Sequence, residues 1–192
     1  MKTFILSVLA TTSITVQLLG QTSFEEYPGW YHFSPASSEI PDYKISSLAV
    51  SEDGSLWVGS AQSGGLANYK NGSWILFNTD NSSIPSNNIE KLIIENTITG
   101  TENIWINPGS SSTGIARKTG STWKKYRQNN SNIGDNEIFE MKLGADGRIW
   151  IVGMGFFQYY IPETDDWSDE IPIPNNNYIT TFSVDIDNNI WY

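Results

Sequence analysis

ISSLAVSEDGSLWVGSAQSGGLANYKNGSWILFNTDNSSIPSNNI occupies residues 45–89, and the architecture follows from its pattern. Four short apolar runs lie at residues 47–50, 56–59, 66–69 and 74–77. Asp53-Gly54 follows the first run and Asn71-Gly72 the third, and both dipeptides favour tight hairpins. Residues 56–58 and 74–77 are apolar at successive positions, which indicates strands covered on both faces. The stretch therefore predicts a four-stranded sheet packed between two neighbours.

The eight tryptophans place this unit in a repeat. They form two interleaved series with spacings of 41 to 49 residues: Trp30, Trp74, Trp123 and Trp167, then Trp57, Trp105, Trp150 and Trp191. Four short strands in each period of about 44 residues are typical of a propeller blade. We predict an all-β fold, a β-propeller of four-stranded antiparallel blades, incomplete, with about 3 to 4 blades present. A β-sandwich is the alternative, but it should show cleaner alternation of apolar and polar residues.

The same stretch resembles the two-component regulator propeller repeats of exported Bacteroidetes proteins. The resemblance rests on the following residues: Ile45, Asp53-Gly54, Leu56-Trp57-Val58-Gly59, Gly64-Gly65-Leu66, Tyr69, Trp74, Phe77, Asn81-Ser82 and Ile84-Pro85. The second copy departs by an insertion at residues 96–102 and reads Ile133-Gly134 in place of Ile-Pro, and the third lacks the Gly-Gly-Leu motif. The resemblance implies a propeller that serves as the sensing region of a hybrid two-component system or as part of a secreted surface protein.

Residues 1–20 have a charged start, a short apolar centre and a small residue before Gln21, the pattern of a signal peptide. We therefore expect export to the periplasm or the cell surface, with a partial propeller at residues 21–192. Its repeats are predicted at about 45–88, 89–137, 138–177 and 178–192, the last one truncated. Because Tyr192 falls at a second strand, we expect an N-terminal fragment whose missing partners are downstream blades of the same chain. An open arc of this kind should aggregate or have low thermal stability.

Composition excludes several kinds of chemistry. The chain has 11 basic and 21 acidic residues, a net charge of −10 that becomes −11 if Lys2 leaves with the signal peptide. An acidic surface makes nucleic acid and anionic membranes poor partners. Without cysteine there is no disulfide, thiolate metal site or cysteine nucleophile, and one histidine excludes a multi-histidine metal centre in this chain. We expect no cofactor and no metal.

Loop lengths predict where a ligand would bind. The blade-to-blade connections at residues 34–44, 78–88 and 127–137 are long, as are the loops at 60–65 and 107–113, and a propeller gathers both kinds on one side, here called the loop face. Their Asn, Ser and Tyr residues suit a polar small molecule or oligosaccharide, or a protein. The candidate ligand-binding residues are Tyr43, Lys44, Asn87, Asn88, Asn136, Glu137, Asn177 and Tyr178.

Other candidates have simpler interpretations. The tryptophans occupy equivalent strand positions, so we interpret them as core residues between blades. His32 is interpreted as an ordinary strand residue, and the run from Asp185 to Asn189 as a hairpin turn instead of a calcium loop. Asp165-Asp166 recurs in no other copy and is expected to be solvated turn surface.

Two functions remain open at this point. The first is a non-catalytic exported binding or sensor module. The alternative is a propeller enzyme of the lyase type, similar to the streptogramin lyases, which would need a histidine and acids converging near the propeller axis.

Overall fold

A computed structural model describes residues 32–97, 99–109, 113–176 and 178–192. The predicted signal peptide, Trp30 and Asn177 lie outside these residues. The described chain forms three antiparallel sheets, which we call blades 1 to 3, followed by a two-stranded terminal hairpin. Blade 1 contains β1 (Ile45–Val50), β2 (Leu56–Ser60), β3 (Leu66–Lys70) and β4 (Ser73–Phe77). Blade 2 contains β5 (Lys91–Asn96), β6 (Glu102–Asn107), β7 (Ile115–Thr119) and β8 (Thr122–Tyr126).

Blade 3 differs in its outer edge. It contains β9 (Glu140–Leu143), β10 (Ile149–Gly153), β11 (Phe156–Ile161), β12 (Asp166–Trp167) and β13 (Ile171–Pro172), and the last two both pair with β11. One turn of 3-10 helix, Pro174–Asn176, precedes the terminal hairpin of β14 (Ser183–Val184) and β15 (Ile190–Trp191). None of the described residues forms a helix with the length and hydropathy needed to cross a bilayer.

The blades radiate from their first strands. Within each blade the strands follow sequence order, and across blades β1 lies against β5, β5 against β9 and β9 against β14. First strands that contact one another in series must lie at the inner edges of the sheets, around a common axis. This arrangement confirms the predicted incomplete propeller and excludes the sandwich.

Turn chemistry sets the registers. Asn71 and Gly72 have φ angles of 50° and 84°, and they join Lys70 directly to Ser73. Two successive positive φ angles are what a two-residue hairpin with the natural strand twist requires. Gly54 and Gly147, both at φ 81°, occupy the corresponding turns between first and second strands. The local signals therefore predict the hairpins correctly.

The two tryptophan series lie on opposite faces of the blades. Trp57 packs with Ile104 of blade 2, and Trp105 packs with Ile149 of blade 3, so this series points toward the following blade. Trp123 packs in the cluster that contains Trp57, so its series points toward the preceding blade. Each sheet is consequently covered on both sides, which explains the strands that are apolar at successive positions. Burying one tryptophan contributes about 4 to 6 kcal/mol at most.

The core interpretation holds for the interior but not at the last hairpin. Trp105 is fully buried, whereas Trp191, at the equivalent position of β15, is 65% exposed. Both indole N–H groups still find an acceptor near the end of their first strand. Trp105 Nε1 donates to Glu95 Oε2 over 2.7 Å, and Trp191 Nε1 donates to Asp185 Oδ2 over 2.9 Å.

Candidate binding face

Hydrogen bonds join the two kinds of long loop at one end of the blades. The N–H of Gly65 donates to the carbonyl of Asn87 over 2.7 Å, and one blade later the N–H of Gly114 donates to the carbonyl of Asn136 over 3.2 Å. Both glycines have positive φ angles, and a Cβ atom added at either one would lie no more than 2.3 Å from a backbone oxygen. These hydrogen bonds hold the loops of the loop face in fixed positions relative to one another. The connections that lead into the first strands lie closest to the axis.

Two of the predicted residues present aromatic surface here. Tyr43 is 53% exposed and Tyr178 is 60% exposed, and each precedes the first strand of a sheet. The ring of Tyr178 rests on Phe139, with the centroids 4.3 Å apart, so its orientation is supported from below. Half-exposed aromatic rings on a rigid support suit stacking against a sugar ring or a peptide. Asn177, the predicted neighbour of Tyr178, lies outside the described residues.

Two other predicted residues use their side chains within their own loops. Asn87 Oδ1 accepts from the N–H of Thr79 over 2.7 Å, and Asn136 Oδ1 accepts from the N–H of Gln128 over 3.0 Å. The bonded residues are eight positions apart in both cases. These carboxamides close the blade-to-blade connections and thereby hold the loop face in shape.

The remaining predicted residues differ in how much of their side chain could contact a ligand. Asn88 Nδ2 donates to the carbonyl of Pro108 over 3.1 Å and to Glu90 Oε1 over 3.3 Å. Its Oδ1 has no hydrogen-bond partner among the described residues. The side chains of Lys44 and Glu137 are exposed to solvent. The loop face therefore combines exposed charges, a partly satisfied amide and two tyrosines.

A charged cluster on the inner strands was missed by sequence reasoning. Lys91 begins β5 and Glu140 begins β9, and Lys91 Nζ lies 3.1 Å from Glu140 Oε2. Lys142 Nζ lies 3.6 Å from the same oxygen. The strand registers place these residues where blade 1 has the uncharged Ser47 and Ala49. An alignment of the repeats could have indicated this cluster, because its three residues are charged where blade 1 has neutral first-strand residues.

The prediction of a solvated turn at Asp165 holds only in part: the residue lies in a turn and its side chain is 44% exposed, but its carboxylate also contacts the preceding blade. Asp165 Oδ1 accepts from the hydroxyls of Tyr126 over 2.7 Å and Tyr160 over 2.6 Å. Arg117 lies 3.0 Å from the same oxygen, and Lys124 Nζ lies 2.7 Å from Oδ2. The carboxylate therefore ties blade 2 to blade 3. The turn sits beside a basic and aromatic surface of the preceding blade, which the local sequence does not reveal.

The electrostatics of this interblade tie follow from its packing. The guanidinium of Arg117 lies 5.4 Å from the ring of Trp105 and 5.3 Å from that of Tyr160. Burial raises the pKa of Tyr160 to about 12, helped by its hydrogen bond to Asp165. This cluster lies at the hairpin end of the blades, opposite the loop face, so we assign it a structural role.

The run from Asp185 to Asn189 forms a hairpin turn, as the sequence predicted. Asp185 accepts from the N–H groups of Asp187 and Asn189 and from Trp191, as a hairpin turn requires, and the Trp191 hydrogen bond is the main cause that lowers its pKa to about 2. No group of three or more potential metal ligands occurs within the described ranges.

His32 precedes Phe33, which packs against Trp74 of the outermost strand at a ring distance of 5.6 Å. The histidine is therefore remote from the inner strands.

The fold is similar to solved propeller structures from bacteria. The extracellular domain described as part of a hybrid two-component system of B. thetaiotaomicron superposes with a TM-score of 0.64 and 18% identity, covering 83% of this chain and 22% of that one. The extracellular domain described as part of a one-component system of the same organism gives 0.56 and 20%, covering 77% of this chain and 19% of that one.

A third similar structure is an enzyme. A catalytically inactive variant of virginiamycin B lyase from Staphylococcus aureus, with quinupristin, gives a TM-score of 0.57 and 18% identity, covering 77% of this chain and 48% of that one. No protein-family model and no curated protein matches the sequence. At these identities the similarity shows the propeller fold, and this chain spans less than half the length of each neighbour.

Proposed function

We propose that this chain is the ligand-binding part of an exported, non-catalytic sensor propeller that takes a polar oligosaccharide or small molecule on its loop face. The observation that carries the proposal is the pair of exposed tyrosines, Tyr43 and Tyr178, on a face braced by backbone hydrogen bonds. Rigid scaffolds that present polar loops on one side are well suited to binding. The whole protein would be the sensing region of a hybrid two-component system or a secreted surface protein, located in the periplasm or at the cell surface.

The extracellular sensor-system domains with the same fold support this choice. They are described as the extracellular domains of a two-component and a one-component system. A protein ligand remains the second kind of partner for the same surface. The complete open reading frame of the gene separates the two settings: a transmembrane helix with kinase modules favours signalling, and a terminal sorting module favours secretion.

The alternative is a lyase-type enzyme, and the similarity to virginiamycin B lyase supports it. Elimination chemistry needs a general base near the bound substrate. The chain's single histidine, His32, lies beside Phe33, which packs against the outermost strand of blade 1 and not against the inner strands near the axis. We therefore favour binding without turnover.

The test is a glycan array probed with the full chain, followed by titration of each hit. Tyr43→Ala and Tyr178→Ala should weaken binding by about tenfold, because each removes a stacking surface. Tyr192→Ala is the matched control, since Tyr192 is equally exposed but lies after β15 instead of in a loop. Incubation with quinupristin in parallel tests the lyase alternative, which product formation would favour. Equal effects of all three substitutions would contradict the assignment of the face.

A further inference from the structure

The cluster of Lys91, Glu140 and Lys142 joins the inner strands of blades 2 and 3 at the end where those strands begin. Lys91 and Glu140 are the first residues of β5 and β9, so both follow directly from the connections of the loop face. A ligand that reaches from the loops toward the axis meets this cluster first.

The cluster contains one more positive charge than it needs. The side chain of Glu140 is 5% exposed, and such a buried carboxylate requires a partner. Lys91 at 3.1 Å supplies one, yet Lys142 also lies within 3.6 Å. Both lysine side chains remain 41% exposed. Two solvent-accessible ammonium groups around one buried carboxylate leave a net positive charge in a chain whose total is −10.

We propose that Lys91 and Lys142 form a subsite for an acidic group, a carboxylate or sulfate, on the ligand of the loop face. This inference rests on the proposed function and specifies the ligand as an acidic oligosaccharide. Charge-assisted hydrogen bonds from two ammonium groups are about twice as strong as neutral ones, so they select for the anion. Glu140 Oε2 lies between the two Nζ atoms and competes with the acidic group of the ligand for their charge.

Nearby acidic groups do not cancel the subsite. Glu90 accepts from Asn88 Nδ2 over 3.3 Å, which directs its carboxylate toward its own loop. Glu137 precedes β9 and is exposed to solvent, where ions screen its charge. The purely structural reading is that the cluster only ties blade 2 to blade 3, and the Glu140 variant below separates the two.

The experiment compares two probes of equal length by calorimetry with the full chain: a tetragalacturonate and a neutral galactotetraose, with sodium sulfate as a free anion. We expect the acidic probe to bind about tenfold tighter, with an advantage that shrinks as salt is added. Lys142→Gln should remove most of that advantage and leave neutral binding unchanged. Lys91→Gln should do the same. Lys70→Gln is the matched control, because Lys70 is a similarly exposed, ion-paired lysine in the opposite hairpin turns.

Glu140→Gln gives the distinguishing result. It removes the competing carboxylate and should strengthen binding of the acidic probe several-fold, whereas a purely structural tie would weaken or not change it. Tryptophan fluorescence melts check that each variant is folded. Equal binding of both probes, or Lys142→Gln behaving like Lys70→Gln, overturns the subsite and leaves the proposed function intact. Binding of neither probe nor any array glycan overturns both, and binding of free sulfate alone overturns the oligosaccharide assignment.

Discussion

Gln158 Oε1 accepts a hydrogen bond from the backbone N–H of Gly134 over 2.8 Å, between the connection that follows blade 2 and the third strand of blade 3. Gly134 occupies the position of Pro85 in the earlier repeat, and proline has no N–H to donate. Gln158 occupies the register position of Ala116 in β7. The two departures from the repeat therefore compensate each other. Glycine in place of proline leaves a free backbone N–H at residue 134, and glutamine in place of alanine at residue 158 accepts a hydrogen bond from it.

Gln158→Ala should lower the free energy of unfolding by about 2 to 3 kcal/mol, because it removes the acceptor of the Gly134 N–H and the donor to two carbonyls. The Nε2 of Gln158 donates to the carbonyls of Asn132 and Ser168 over 2.9 and 2.6 Å. The Ser168 carbonyl still accepts from Asn132 Nδ2 over 3.2 Å. Urea unfolding measures the change. Gln62→Ala is the control, since this glutamine is exposed in a loop of blade 1 and its truncation should cost less than about 1 kcal/mol.

The compensation itself is testable by a double-mutant cycle. Gly134→Pro combined with Gln158→Ala restores the residues of the earlier repeat, so the pair should cost about 1 kcal/mol less than the sum of the single changes. Additive costs would show that the two departures are independent.

Trp105→Ala and Trp191→Ala should differ strongly although the residues occupy equivalent positions of the repeat. Trp105 is enclosed between blades 2 and 3, so its removal should cost about 3 to 5 kcal/mol. Trp191 lies exposed on the terminal hairpin, and its removal should cost less than about 1 kcal/mol. Thermal melts followed by far-ultraviolet circular dichroism measure both, and similar losses would contradict the arrangement of the blades.

Acid should weaken the tie at Asp165. Burial alone would raise the pKa of this carboxyl, but hydrogen bonds from Lys124, Tyr160 and Tyr126 outweigh burial and hold the pKa well below its usual range. The stabilisation is thus present above the unfolded pKa of about 4 and is lost as the pH falls through the folded value.

Asp165→Asn should lower stability by about 1 kcal/mol at pH 7, a modest figure because the side chain is 44% exposed and solvent screens its charges. The variant should also lose less stability than the wild type below about pH 4. Chemical unfolding across this pH range tests both expectations. Asp80→Asn, at an exposed loop position, should leave the profile unchanged.

Alkali should act on the same cluster with the opposite sign. Burial and the hydrogen bond to Asp165 raise the pKa of Tyr160 to about 12, so the folded state favours the neutral phenol. The stabilisation is complete below the unfolded pKa of about 10 and is lost as the pH rises toward 12. Tyr160→Phe should therefore reduce the alkaline loss of stability, measured by denaturant unfolding, whereas Tyr43→Phe should not.

Gly114→Ala should destabilise the chain by about 2 kcal/mol or more, because φ is +64° and the new Cβ would lie 2.1 Å from the carbonyl oxygen of Tyr126. Gly120→Ala is the matched control, with φ +55° and no atom within 4 Å of the new Cβ, and should cost about 1 kcal/mol. Equal losses in urea unfolding would mean that strain, not contact, determines both.

The sequence by itself determined the repeat, the hairpin turns and the two faces of each strand, because these depend on local backbone preference and on periodicity along the chain. Asn71-Gly72 requires a tight turn wherever it lies, and successive apolar residues such as Leu56-Trp57-Val58 require cover on both sides. The propeller fold could be predicted from these signals alone.

Only the tertiary structure decided which side chains meet across blades. Asp165 looked like solvated turn surface, and Lys91 and Glu140 lie 49 residues apart in the chain. Their contacts arise because neighbouring blades bring equivalent strand positions together. The role of a residue that departs from the repeat can be assigned only when its contact partner is known. That partner lies in a neighbouring blade, and the local sequence pattern does not identify it.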